Sequence, residues 1–272
     1  MKGYIALMRP VNAVMASLGT IIGGIIARES LSALYFYKLY IAMAVVFLVL
    51  MAGNVLNDYF DADIDKINHP KRPIPSGQVS RSSARVLATV LFIAAMIASL
   101  FTFNILQVII AFVAILLLVT YEWKTKALGL VGNIVISALV GLIFVYGSLS
   151  IKLSYLVLIL SLMAFLANLA REIVKDVEDV GGDVNRSTLP KKIGKGLSLV
   201  ASAVLIVIAV SLSPIPYIFF GWKILYVLVV AISDLLFLAS AFFSFHNQTT
   251  GQNLIKVAMI LGLVAFLVGS SV

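Results

Sequence analysis

The sequence predicts an all-α membrane protein, a bundle of nine transmembrane helices with its active site on the cytoplasmic side. Of the 272 residues, 62% are hydrophobic and only 12% are charged, against about 25% charged in a soluble domain. The mean hydropathy is +1.11, more apolar surface than a soluble core absorbs. The apolar residues also fall into nine stretches of roughly the 20 residues that a helix needs to cross a bilayer. These are 11–27, 39–58, 85–102, 105–121, 131–149, 153–171, 197–213, 222–244 and 254–271. The chain reads as one transmembrane domain over 1–272.

Taken in order, the first stretch follows Lys2 and Arg9, the flank of a signal peptide. Eight further spans make it an uncleaved first helix instead. The second runs into an acidic segment at Asn57–Asp65, and the third and fourth are plain apolar runs. The fifth begins after Lys124 and Lys126, and the sixth runs into a second acidic segment, Arg171–Asp183. The seventh and ninth are again plain. The eighth carries a deep acid, Asp234, expected to bond to Ser233 or a neighbouring helix. Alternating loops put sixteen of the twenty Lys and Arg on one face. The positive-inside rule makes that face cytoplasmic, with the N-terminus inside and the C-terminus outside. The net charge of +8 then reports topology, not affinity for nucleic acid. The absence of cysteine excludes disulfides, thiolate catalysis and Cys-ligated metals, and two histidines exclude a three-His metal site.

Ten of the twelve acids share the basic face. Acids contribute little to orientation, so they need a chemical reason. Asn57, Asp61 and Asp65 stand at i, i+4 and i+8. On a helix each such step turns the face by only about 40° and rises about 6 Å, so the three form one stripe. Like charges at i,i+4 repel, which calls for a cation on the stripe. Glu172, Asp176, Asp179 and Asp183 share a face in the same way if the sixth helix runs that far, although Gly181-Gly182 makes its last turn uncertain. Each cluster is followed by Asn, bases, Pro and Gly: Asn68 to Gly77, and Asn185 to Gly194. The pattern reads as an internal duplication, spans one to four and five to eight, with span nine added. Oxygen ligands without His or Cys suit Mg²⁺, which is held by one or two carboxylates plus substrate phosphates. Arg72, Lys124, Lys126, Arg171, Lys175 and Arg186, interleaved with the acids, suit phosphate oxygens.

These residues carry a resemblance. Asn57-x3-Asp61-x3-Asp65 with Asn68-x3-Arg72-Pro73, and Asp176-x2-Asp179-x3-Asp183 with Thr188-Leu189-Pro190, resemble the two aspartate-rich motifs of UbiA-type intramembrane prenyltransferases. Arg9-Pro10-x-Asn12 and Tyr121-x2-Lys124-x-Lys126 are similar to further family positions. His69 departs from the pattern, where Arg or Lys is expected. The resemblance implies Mg²⁺ as cofactor, with Asn57, Asp61, Asp65, Asp176, Asp179 and Asp183 as metal ligands. Asp61, Asp65, Asp179 and Asp183 are the implied catalytic carboxylates. Arg9, Asn12, Arg72, Lys124, Lys126, Arg171 and Lys175 are implied to hold substrate. The Met8–Asn12 and Ala52–Asp61 runs look most like the archaeal ether-lipid branch of the family. That branch transfers a geranylgeranyl group from its diphosphate to the glycerol hydroxyl of geranylgeranylglyceryl phosphate, a lipid phosphate acceptor. An aromatic quinone or haem precursor is the competing acceptor, and a membrane transporter the more remote alternative. A transporter would place its carboxylates near the bilayer midplane, where only Asp234 lies. Nothing in the sequence speaks to oligomeric state.

Overall fold

The computed structural model describes residues 2–181 and 187–271. Among these there is no strand. In chain order the helices are α1 (Lys2–Met8), α2 (Pro10–Arg28), α3 (Tyr37–Phe60), α4 (Ala62–Asn68), α5 (Arg81–Leu100), α6 (Ile105–Trp123) and α7 (Leu130–Ser148). There follow α8 (Tyr155–Glu178), α9 (Leu189–Ile193), α10 (Lys195–Leu212), α11 (Ile215–Phe220), α12 (Ile224–Ser244) and α13 (Gln248–Ser271). Nine segments among the described residues are long and apolar enough to cross a membrane, with α1–α2 and α10–α11 each making one. All nine expected stretches are there.

Their faces show which solvent they meet. On α5, Val86, Val90, Ile93 and Ile97 are exposed while Ala84, Ala88, Phe92, Ala95 and Ser99 are buried. Both sets recur at steps of three and four, so the helix has two stripes. The outward stripe is the more hydrophobic one. In water it would be a sticky patch; in lipid it is the expected surface, and the small buried residues let helices approach.

The ends differ from the hydropathy reading. α8 continues to Glu178, seven residues past the expected 171, and α13 starts at Gln248 instead of 254. Apolarity marks the hydrocarbon slab, whereas backbone hydrogen bonding carries a helix on into the headgroup layer. The first span is interrupted at Arg9, which has φ 47° and ψ 57°. Pro10 disfavours the right-handed helical conformation for the residue before it, so Arg9 breaks the helix and takes the left-handed region, at about 1–3 kcal/mol of local strain. Asn54 of α3 steadies the break, its Nδ2 donating to the Met8 carbonyl at 3.1 Å.

α3 packs on α5 and α2, α2 on α7, α7 on α8, α8 on α10, and α12 on α13. The α2–α7 seam is the tightest. A Cβ on Gly23 would stand 2.1 Å from the Phe144 carbonyl oxygen, and one on Gly147 would stand 1.9 Å from that of Thr20. Only glycine lets the two backbones meet there. Asp234 accepts a hydrogen bond from Ser213 Oγ at 2.6 Å, so its partner is across a helix boundary. Ser233 instead donates to Ala258.

Candidate functional site

Polar side chains gather where α3, α6 and α8 end. Backbone bonds Asp61 N to Asn57 O, Asp65 N to Asp61 O, and His69 N to Asp65 O carry the helical register from α3 into α4. Asn57, Asp61 and Asp65 therefore keep their common face. Each already has a partner. Lys126 Nζ donates to both carboxylate oxygens of Asp61, at 2.9 and 2.7 Å, and to Glu122 Oε2 at 3.0 Å. Asn57 Nδ2 donates to both oxygens of Glu122, at 3.0 and 3.1 Å. Arg72 donates to Asp65 at 2.7 Å and lies 3.8 Å from Asp58. Asp58 also pairs with Arg9, whose left-handed backbone turns it toward α3. One network thus ties the first helix, α3 and the loop after α4. Asp63 stands outside it: hydrogen bonds from Lys66 and Arg81 hold its exposed carboxyl below the usual range.

The second cluster lies on α8 and just beyond. Asp176 is buried and accepts from Asn133 Nδ2 of α7 at 2.7 Å. Asp179 begins a short 3₁₀ turn to Gly181 and is exposed. Arg171 pairs with Glu172 and donates to Asn168 at 3.2 Å. The link to the first cluster is the segment between α6 and α7. Lys126 reaches Asp61 from it, and the Ala127 carbonyl accepts from the Ser187 N–H at 3.0 Å. Gly129, at φ 60°, makes the contact possible: a Cβ would lie 2.3 Å from the Ser187 carbonyl oxygen.

The structure thus places Arg9, Arg72 and Asp65 in one network through Asp58, and Asn57, Asp61 and Lys126 in a second through Glu122, with Asp176 beside α7 and Arg171 on the same helix as Asp176. It does not bring in Asn12, which is exposed on the first turn of α2. Lys124 and Lys175 are exposed and make no ion pair among the described residues. Asp183 and Arg186 lie outside the described residues. The acids are also less peripheral than a rim position suggests, since Asp58, Asp65 and Asp176 are all buried. Helix ends that are polar in sequence are here packed under loops. Three participants escaped the sequence reading: Asp58, Glu122 and Asn133. The i,i+4 spacing of Glu122 and Lys126 is the one local signal that pointed to any of them.

Among the described residues no three acids or histidines converge as a preformed metal cage. The donor set still suits Mg²⁺, which needs only one or two carboxylates plus phosphate oxygens. The ammonium of Lys126 lies between Asp61 and Glu122, so those oxygens already hold a cation.

Residues 17–268 match the model of the UbiA prenyltransferase family. A digeranylgeranylglyceryl phosphate synthase of Methanopyrus kandleri is 39% identical over 98% of both chains. A solved structure concerned with digeranylgeranylglyceryl phosphate synthase in membranes superposes with a TM-score of 0.86 at 38% identity, covering 99% of this chain and 98% of the other. A UbiA homologue from Archaeoglobus fulgidus, bound to DMAPP and Mg²⁺, shares the fold with a TM-score of 0.68 at 18% identity, covering 97% and 99%.

Proposed function

Because the chain belongs to the UbiA prenyltransferase family and is an integral membrane protein of it, we propose that it moves a geranylgeranyl group between lipids. The donor is geranylgeranyl diphosphate, and the acceptor is the glycerol hydroxyl of geranylgeranylglyceryl phosphate. The observation that carries this is the near-full-length identity, 38–39%, to proteins so named. In the reaction the C1–diphosphate bond breaks, the C1–glycerol oxygen bond forms, and the hydroxyl proton passes to the released diphosphate or a carboxylate.

Asp61, Asp65 and Asn57 on one side, and Asp176, Asp179 and Asp183 on the other, are the oxygen groups that would hold Mg²⁺. When bound, the ion supplies charge neutralisation for the leaving diphosphate. Lys126, Arg72 and Arg9 are the cations of this chain that meet phosphate oxygens. They favour ionisation by stabilising charge as it develops on the leaving group. The site sits on the cytoplasmic side, with the N-terminus inside. Membrane residence follows from the substrates: each buried CH₂ is worth about 0.8 kcal/mol, so both C20 lipids stay in the bilayer and must be met there.

The test is one assay. Purified protein, Mg²⁺ and geranylgeranyl diphosphate are offered geranylgeranylglyceryl phosphate or a hydroxybenzoate-type ring. Ether formation on the glycerol without ring alkylation is expected. Ring alkylation without ether product overturns the acceptor and moves the chain to the quinone branch.

A further inference from the structure

Two apolar cavities lie on either side of α7. The first is walled by α3, α6 and α7; along α7 it extends to Tyr146, the lining residue farthest from the polar site. The second is walled by α2, α7, α8, α12 and α13, with one lining residue from α10. Val140 and Ile143 of α7 face both. No charged side chain lines either one.

Their upper ends meet different parts of the site. Leu118 of the first cavity lies one helical turn before Glu122 on α6. Ala167 of the second lies one turn before Arg171 on α8. Between the cavities runs the α2–α7 seam, where Gly23 and Gly147 bring backbone against backbone. At that level backbone fills the space between α2 and α7.

We infer that each cavity takes one C20 isoprenoid chain, one from the diphosphate donor and the other from the acceptor lipid, and that the α2–α7 seam keeps the two tails apart. The inference rests on the transfer proposed above. Donor C1 and acceptor oxygen must touch at the polar end, while two chains cannot share one volume. An acceptor with its own isoprenoid chain therefore needs a second apolar channel starting from the same site, and an aromatic ring does not. Two apolar cavities that flank α7 and end one turn short of the polar site meet that need.

The test uses Ala114→Phe, which adds bulk to the first cavity, and Ala164→Phe, which adds it to the second. KM is measured for each substrate separately. Monodisperse elution in detergent at the parent's volume is the folding control. One variant is expected to raise KM for geranylgeranyl diphosphate about tenfold and leave that of the acceptor within about twofold; the other variant does the reverse. Both variants are expected to elute as the parent does. Ala114→Leu and Ala164→Leu, smaller insertions, carry the same comparison where a Phe variant fails the control. If both KM values rise together in either variant, the partition is wrong. If a variant moves neither, its cavity is a seat for ordinary bilayer lipid and the inference falls. Wild-type protein that forms no ether product with either lipid fails the functional proposal itself, before any variant is read.

Discussion

Lys126→Met is the substitution whose cost the structure defines best. The ammonium it removes sits 2.7 Å from Asp61 and 3.0 Å from Glu122. The side chains are 15% exposed for Lys126, 25% for Asp61 and 6% for Glu122. Removing one partner of a buried ion pair costs about 3–5 kcal/mol, mostly because a charge is left behind in a poor solvent. Asp61 keeps a quarter of its side chain in contact with solvent and rehydrates, whereas Glu122 does not. The expected loss is therefore at the lower end, about 3 kcal/mol, or roughly 150-fold in the unfolding equilibrium. Adding Glu122→Gln removes the stranded charge and keeps an acceptor for the Asn57 amide, so about 2 kcal/mol should return. Reversible unfolding by SDS in mixed micelles, followed through the fluorescence of Trp123 and Trp222, measures both. A single variant within about 0.5 kcal/mol of the parent refutes the buried-pair reasoning. So does a double variant as unstable as the single.

Three further outcomes follow from the same geometry. Asp61→Ala and Asp179→Ala should each abolish prenyl transfer while the protein still purifies as a folded species, and excess EDTA should do the same to the parent; full activity in either variant or in EDTA rejects the carboxylate site. Gly129→Ala should destabilise by about 2 kcal/mol or more, since it combines a positive φ with a Cβ 2.3 Å from a backbone oxygen; an unchanged unfolding midpoint would show that the 187–188 segment yields. Cysteines placed at the exposed Ser76 and Ser187 should label from the cytoplasmic side, and one at the exposed Leu153 from the other, in a chain with no native cysteine. Opposite-sided labelling of Ser76 and Ser187 would separate the two motifs and with them the shared site.

How far the sequence could be read depended on whether a property belongs to one helix or to two. Hydropathy is a property of one segment, so all nine spans were legible, whereas the break at Arg9 was not foreseen even though Pro10 beside it is its cause. The Asn57–Asp61–Asp65 stripe was legible for the same reason: periodicity places residues on a face of their own helix. It does not say what that face meets. Asp58 lies one residue off the stripe and was passed over, yet it is the buried partner of Arg9. Glu122 reads as an ordinary acid at a span end until α6 packs against α3 and its side chain is closed in under Asn57 and Lys126. No spacing rule links Asn133 to Asp176, 43 residues away. Asn12 has a favourable neighbourhood in sequence and stands exposed on the first turn of α2, outside both networks.

The bases were judged by charge alone as phosphate ligands, and the structure adds a condition to that judgement. Lys126, Arg72 and Arg9 are already engaged with Asp61, Glu122, Asp65 and Asp58. On the proposed function, a diphosphate that recruits them must take them from carboxylates, so its binding would be an exchange of partners and not the filling of a free cationic pocket. The ion pairs account for the interleaving of acids and bases here: the bases keep the buried carboxylates tolerable. The pair of substitutions introduced above separates the two duties of Lys126. In Lys126→Met with Glu122→Gln the stability should largely return, because no buried charge is stranded. Inhibition of prenyl transfer by inorganic pyrophosphate should not return with it, because the ammonium that meets phosphate is still missing. Recovery of both together would mean that Lys126 is there for Glu122 and takes no part in holding the leaving group.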